Sequence, residues 1–157
     1  MHWLNGILIA IGCIVAAMVV ATVARRYSLR RYRQRMRVAR ELFYRRREWL
    51  EARFVTHASK SGKPRGLRWL NVDFDDDVTF ARDKQSGDLR ALVGVTISFE
   101  AVEGGDMEEV EAVGNLRAAT AVFLYAKQQW ETDGRAVFNL SPHQTIQHFQ
   151  NELEAMA

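Results

Sequence analysis

The side chains best suited to metal or acid–base chemistry lie in two acidic clusters. The first cluster is Asp73, Asp75, Asp76 and Asp77, and the second is Asp106, Glu108, Glu109 and Glu111. Ca²⁺ and Mg²⁺ bind where several carboxylate oxygens converge, but neither cluster has the D-x-[DN]-x-[DN]-G spacing of a calcium loop. We therefore predict solvated turn residues, or acids that face a basic stalk within the chain or across a dimer. An enzyme with an acidic, metal-assisted site is kept as an alternative.

The histidines and the single cysteine do not complete a known catalytic pattern. His143 and His148 are five residues apart, which places them about 140° apart on a helix, so they cannot form the i, i+4 pair that zinc uses. The sequence has no G-x-S-x-G, H-E-x-x-H or C-x-x-C motif. We predict no catalytic residue, no metal site and no cofactor.

A run of arginines after residue 24 is the strongest binding signal. The predicted contacts with anionic headgroups are Arg25, Arg26, Arg30, Arg31, Arg33, Arg35 and Arg37. Each arginine close to an anionic leaflet contributes about 1 kcal/mol, within a Debye length of about 8 Å. The aromatic residues interleaved with the arginines would also let this part of the chain bind phosphates and stack on bases; they are Tyr27, Tyr32, Tyr44 and Trp49. Nucleic acid is the disfavoured partner, since arginines directly behind a membrane span already have an explanation.

These arginines follow an apolar run at residues 3–24 that contains no charged residue. At about 1.5 Å per residue, a helix of this length reaches roughly 33 Å, enough to cross a hydrocarbon core of about 30 Å. A cleaved signal peptide is the alternative, but no Lys or Arg precedes the run, and the run is longer than an ordinary signal core. We predict a transmembrane anchor at residues 1–24.

Charge predicts the orientation of this anchor. Because Lys and Arg near the ends of a span stay in the cytoplasm, the N-terminus is expected outside and the rest of the chain inside. Small residues recur along the span at Gly6, Ala10, Cys13, Ala17 and Ala21. Such a row suits close pairing of two helices in a homodimer, although Gly and Ala are common in membrane helices in any case. Cys13 is interpreted as a packing residue.

Charge also divides the chain. Residues 25–63 carry fourteen basic and three acidic residues, a net charge of +11, whereas residues 64–157 carry a net charge of −8. The predicted organisation is a transmembrane anchor (1–24), an Arg-rich helical stalk (25–58), a hinge (59–66) and an acidic head domain (67–157).

The stalk is predicted to be an amphipathic helix that continues from the anchor. One apolar row contains Tyr32, Ala39, Phe43 and Leu50, and a second row adds Val38, Leu42 and Trp49. Such a helix pairs as a coiled coil, lies on the lipid surface or docks on the head, and the sequence does not choose among these. Pro64 between two glycines ends the helix in the hinge.

The head is predicted to be an α+β domain, an antiparallel sheet of about five strands with a C-terminal helix. The clearest strand is 89–101, where apolar and polar residues alternate. Strands at 67–74 and 77–82 are expected on either side of an acidic turn, and Asp133-Gly134 signals a hairpin between 117–131 and 135–140. Ser141 starts the helix with a capping box and Pro142 at its first position.

The sequence therefore predicts a single-pass membrane protein that is not an enzyme. Its acidic head is expected in the cytoplasm, where it would bind an unidentified protein partner, while the stalk contacts the anionic bilayer. Trp69 and Trp130 are expected to pack under a loop or against the stalk rather than to form an exposed contact surface. A membrane tether for nucleic acid or another polyanion is the alternative function.

Overall fold

The computed structural model describes the backbone of residues 2–61, 67–104, 108 and 115–156, and the side chains of these residues except 2, 4–17, 28, 29 and 61. The elements are α1 (His2–Arg45), α2 (Arg47–Ser61), β1 (Leu67–Asp83), β2 (Leu89–Ala101), β3 (Arg117–Ala126), β4 (Gln129–Glu131), β5 (Ala136–Phe138), α3 (Pro142–His148) and β6 (Leu153–Ala155). The α+β class is confirmed, with six strands rather than about five.

The chain forms two compact units, Met1–Glu41 and Leu42–Ala157. The first unit is helical from His2 onward. Its apolar side chains at Met18, Val19, Val20 and Val23 are exposed. Within the part of the chain that the structure describes, no helix is both long enough and apolar enough to cross a membrane. The side chains of residues 4–17, which belong to the predicted anchor, lie outside that part.

The second unit, which we call the head unit, contains the end of α1, α2 and the sheet. No Gly or Pro occurs between residues 25 and 61, which favours helix throughout. A single turn at Arg46 separates α1 from α2, and the Leu50 N–H resumes the helical pattern by donating to the Arg46 carbonyl at 2.9 Å. Helix α2 extends to Ser61, so residues 59–61 of the predicted hinge are helical; residues 62–66 lie outside the description.

All strand pairs of the sheet are antiparallel, in the order β4-β3-β2-β1-β6, and β5 pairs with β3 beside β4. The expectation of two strands at 67–74 and 77–82 is wrong. One long strand, β1, runs through both segments, and its register against β2 shifts between Phe74 and Val78. The aspartates between them form a β-bulge, which bends a strand without ending it.

The hairpin predicted at Asp133-Gly134 is also wrong. The chain turns at Lys127 and Gln128, whose φ angles of 50° and 64° suit a tight turn between β3 and β4. Gly134 has a positive φ of 81°, but it lies in the connection from β4 to β5, two strands that both pair with β3. The Asp-Gly pair thus predicts the positive φ of Gly134 correctly, but it predicts the wrong strand pairing.

Both faces of the sheet's centre are covered, by helices on opposite sides. On one face, the Phe43 ring lies 5.4 Å from Phe123 and 5.0 Å from Trp130, and the Phe54 ring lies 5.9 Å from Phe123. The two contacts of Phe43 are edge-on and the contact of Phe54 is tilted, and together they bury the apolar face of the helix against the sheet. The segment from Leu42 to the end of α2 therefore covers this face of the sheet.

The other face is covered by α3. Its residue Ile146 packs in one apolar cluster with Ala81, Leu92, Val122 and Leu153. The predicted capping box is present: the Ser141 side chain accepts from the Gln144 N–H, and the Gln144 side chain accepts from the Ser141 N–H. The helix ends at His148, before Leu153 enters the short strand β6 beside β1. Cover from both sides explains why Leu92 is buried as well as the alternating positions of β2.

Candidate interaction surfaces

The predicted headgroup-binding arginines are all exposed on helix α1. They are Arg25, Arg26, Arg30, Arg31, Arg33, Arg35 and Arg37. The Arg31 guanidinium lies 4.5 Å from the centre of the Tyr27 ring, a cation–π contact at the helix surface. The first acidic residue after them is Glu41. This segment therefore presents a dense positive charge to its surroundings.

The predicted helix-pairing face falls mostly outside the described side chains. Gly6, Ala10, Cys13 and Ala17 belong to the undescribed set, and Ala21 is exposed on α1. The pairing of two anchors therefore stays a prediction.

In the head unit, Arg47 joins α2 to the acidic bulge of β1. Its Nε donates to Glu51 Oε1 at 2.6 Å, its Nη1 to the Asp76 carbonyl at 2.6 Å, and its Nη2 to the Asp75 carbonyl. The planar guanidinium satisfies three acceptors at once, which a lysine cannot reproduce. This contact positions the bulge and leaves its aspartate side chains exposed.

Gly94 in β2 lies under this bulge. A Cβ added at Gly94 would lie 2.9 Å from the carboxyl carbon of Asp75, so the Asp75 side chain occupies the space above the glycine. Three aspartates of the first acidic cluster, Asp75 to Asp77, therefore lie on a bulge that Arg47 holds and for which Gly94 leaves room, rather than in the turn expected from the sequence.

The second acidic cluster is described only at Glu108. Its Oε2 accepts the Gly104 N–H at 2.9 Å; Asp106, Glu109 and Glu111 lie outside the described residues. Where the chain is described, no group of three His, Cys, Asp or Glu residues is arranged to hold a metal ion. His143 and His148 are both exposed on the short helix α3.

Asp83 is a second polar centre of the head unit. Its carboxylate accepts the N–H groups of Gln85 and Ser86, at 2.9 and 3.0 Å, and an Arg90 nitrogen at 2.6 Å. These contacts, led by the Ser86 N–H and the Arg90 side chain, lower the pKa of Asp83 to about 2. The carboxylate closes the β1–β2 hairpin, so we interpret it as structural.

A small cavity lies beside this centre, between the sheet and α3. Arg90, Arg135, Thr145 and Phe149 are among the residues that line it, and its volume is about 10 Å³. That volume holds roughly one water molecule. It is too small for a substrate or an organic cofactor.

The tryptophans divide into buried and exposed residues. Trp130 is buried against the stalk residue Phe43, as expected, and Trp69 is half-buried against Phe99 at 5.4 Å. Trp49, which belongs to the second apolar row of the predicted stalk, is 50% exposed, with the Arg53 guanidinium 5.1 Å from its ring centre. Val38 of that row is exposed as well.

Arg47 and Arg53 are candidate residues that the sequence does not single out, although it does place Trp49 among the aromatic residues of the stalk. An Arg–Glu pair at i, i+4 is readable from the sequence, and it identifies Arg47 and Glu51 as neighbours on the helix. The contact of Arg47 with the carbonyls of the bulge has no such signal, because those acceptors are backbone atoms about thirty residues away along the chain.

No protein-family model matches this chain, and no curated protein or solved structure is significantly similar to it.

Proposed function

We propose that this chain is a single-pass, membrane-anchored interaction protein without catalytic activity. Residues 1–24 anchor it, with the N-terminus outside and the head at the cytoplasmic face of the membrane. The arginines from Arg25 to Arg37 contact anionic lipid headgroups, and the head binds a protein partner.

One observation carries the proposal: the charge-free apolar run of residues 3–24 is followed directly by the exposed arginines of α1. The side chains of Met18, Val19, Val20 and Val23 in this run each expose more than half of their surface. Contiguous exposed apolar surface is costly in water and favourable in lipid. The arginines beyond the run favour retention of that end in the cytoplasm.

The experiment is membrane extraction of the full chain, tagged at its C-terminus, from a bacterial expression host. We expect the chain to remain in the membrane pellet after alkaline carbonate treatment. A variant with Ile14→Arg and Val19→Arg should move to the supernatant, because a charge at the centre of a span costs about 3 kcal/mol. Wild-type chain in the supernatant would contradict the anchor.

Protease protection tests the orientation in the same cells. The head should resist protease added outside intact spheroplasts and be digested in inverted vesicles. Digestion from the outside would overturn the cytoplasmic placement.

Headgroup contact is tested with phosphatidylcholine vesicles with and without phosphatidylserine. Reconstituted full chain should protect its arginine segment from trypsin more strongly in the anionic vesicles, and this difference should disappear at high salt. Equal protection in both vesicle types would contradict headgroup binding. Salt-dependent binding of RNA by the same arginines would instead favour the polyanion tether.

A further inference from the structure

One side of α2, together with Arg46 in the turn before it, carries a row of cations around an exposed tryptophan. Arg46, Trp49, Arg53 and Lys60 are all exposed. Because an α-helix advances about 100° per residue, these four positions fall within a sector of about 60°. We call this row the basic flank of α2.

Trp49 is the feature of the basic flank that needs an explanation. Half of its surface is exposed, and the Arg53 guanidinium is stacked at 5.1 Å from its ring centre. Tryptophan and arginine are the residue types that dominate binding energy at protein interfaces, and a stacked pair loses little further freedom on binding. The flank therefore has the composition of an interface centre with a cationic border.

An acidic surface lies on the other side of the same helix. Arg47 is about 100° around the helix from Arg46, and it contacts the carbonyls of Asp75 and Asp76. Arg47 lies among the sheet-facing residues Leu50 and Phe54, about 160° around the helix from Trp49, so the bulge lies on the side of α2 far from this tryptophan. The exposed acids there are Glu48, Asp76 and Asp77, which we call the acidic flank.

We propose that the basic flank binds the acidic flank of a second copy of this chain, and that the reverse contact forms at the same time. A two-fold axis along α2 keeps each residue at its own level on the helix and exchanges the two sides. Arg46 then meets Asp76, because the neighbouring Arg47 already places Asp76 at that level. Both contacts of such a symmetric dimer pair opposite charges.

A second copy fits this surface better than a phosphate polymer or a lipid surface does. Phosphates attracted to Arg46 and Arg53 would also meet the carboxylates of Glu48, Asp76 and Asp77 across the helix. A partner that carries both signs in the same arrangement avoids that repulsion. This inference goes beyond the proposed function and does not depend on the anchor.

The test is a charge-swap experiment on the full chain in a mild neutral detergent, with self-association measured by sedimentation velocity. Arg46→Glu with Arg53→Glu should raise the dissociation constant of the dimer at least about tenfold, and so should Asp76→Lys with Asp77→Lys. An equimolar mixture of the two variants should restore association, because both contacts of the mixed dimer again pair opposite charges. Pairing through the membrane helices would not show this rescue.

A disulfide experiment keeps the proposal falsifiable if a charge reversal disturbs folding. In a Cys13→Ser background, Arg46→Cys chains mixed with Asp76→Cys chains should form mixed disulfides, whereas Arg46→Cys chains alone should not. A monomeric wild-type chain, or association unchanged by both reversals, would overturn the proposal. Failure of the rescue together with loss of binding to phosphatidylserine vesicles or to RNA would overturn it too, and would assign the flank to a polyanion.

Discussion

Gly134 lies so close to Ala58 that a Cβ added to the glycine would be 2.8 Å from the Ala58 Cα. The atoms in the way belong to the backbone of α2, which cannot rotate aside. Gly134 also has a φ of 81°, which other residues adopt only with strain. Helix α2 and the connection between β4 and β5 are therefore held in contact at a position that tolerates only glycine.

Gly134→Ala should accordingly destabilise the head by more than about 3 kcal/mol, because backbone strain of about 1 kcal/mol adds to the displacement of α2. Urea unfolding of the full chain in mild detergent, followed by tryptophan fluorescence, measures this loss. Gly104→Ala is the matched control. Gly104 has a φ of 73° and nothing within 4 Å of an added Cβ, so this change should cost only about 1 kcal/mol. Equal losses in both variants would contradict the close contact.

The lowered pKa of Asp83 predicts that the head unit loses stability in acid. Its pKa is lowered from 3.8 to about 2 in the folded chain, so the unfolded chain binds the proton more tightly. The contribution of this carboxylate is fully present above pH 4 and is lost as the pH falls toward 2. Urea titrations at several pH values should show a smaller acid dependence for Asp83→Asn than for wild type. The exposed change Asp133→Asn is the control, and an unchanged slope in Asp83→Asn would contradict the assignment.

Asp83→Ala should also destabilise the head at pH 7, by about 3 kcal/mol, since Arg90 loses its buried ionic partner. The free energy of unfolding from urea titration is the measurement. Arg90→Ala, alone and combined with Asp83→Ala, tests the pairing. If the double variant loses much less free energy of unfolding than the two single variants together, the two residues are coupled.

The three hydrogen bonds of Arg47 predict that lysine cannot replace arginine at this position without a loss of stability. Arg47→Lys keeps the charge but cannot reach Glu51 and two carbonyls in one plane, so it should cost about 1–2 kcal/mol. Arg33→Ala, an exposed change on α1, should stay within about 0.5 kcal/mol of wild type. Hydrogen exchange should locate the loss of protection in the bulge between Phe74 and Val78. Full retention of stability in Arg47→Lys would show that charge alone holds the bulge.

The packing of α2 against the sheet predicts which fragments of the chain fold on their own. A fragment of residues 42–157 should fold cooperatively, whereas a fragment of residues 67–157 should not, because it lacks Phe43, Leu50 and Phe54. Each large apolar side chain removed from a core costs about 3–5 kcal/mol, and three such losses match the whole stability of a small domain. Near-ultraviolet circular dichroism and dispersion of amide NMR signals measure the difference. A cooperative shorter fragment would show that α2 is dispensable.

Several elements were predictable because their signals are local. The alternation of 89–101 specifies a strand, and Ser141 with Gln144 specifies the start of α3, since capping involves only neighbouring residues. The exposed arginines of α1 follow from composition as well. In contrast, the turn at Lys127-Gln128 contains none of the residues that are usual in hairpin turns. The Asp133-Gly134 pair does have the usual turn residues, but it connects two strands that do not pair with each other.

By itself, the sequence determined the helical N-terminal segment, the antiparallel α+β head, and the separation of a basic helix from an acidic domain. Those features depend on periodicity, propensity and charge, which act between neighbours in the chain. Tertiary structure alone decided that the helix from Leu42 covers the sheet, that Arg47 holds the aspartate bulge, and that Trp49 points outward. Each of these depends on atoms tens of residues apart, whose meeting is set by the packing of the whole domain rather than by any local pattern.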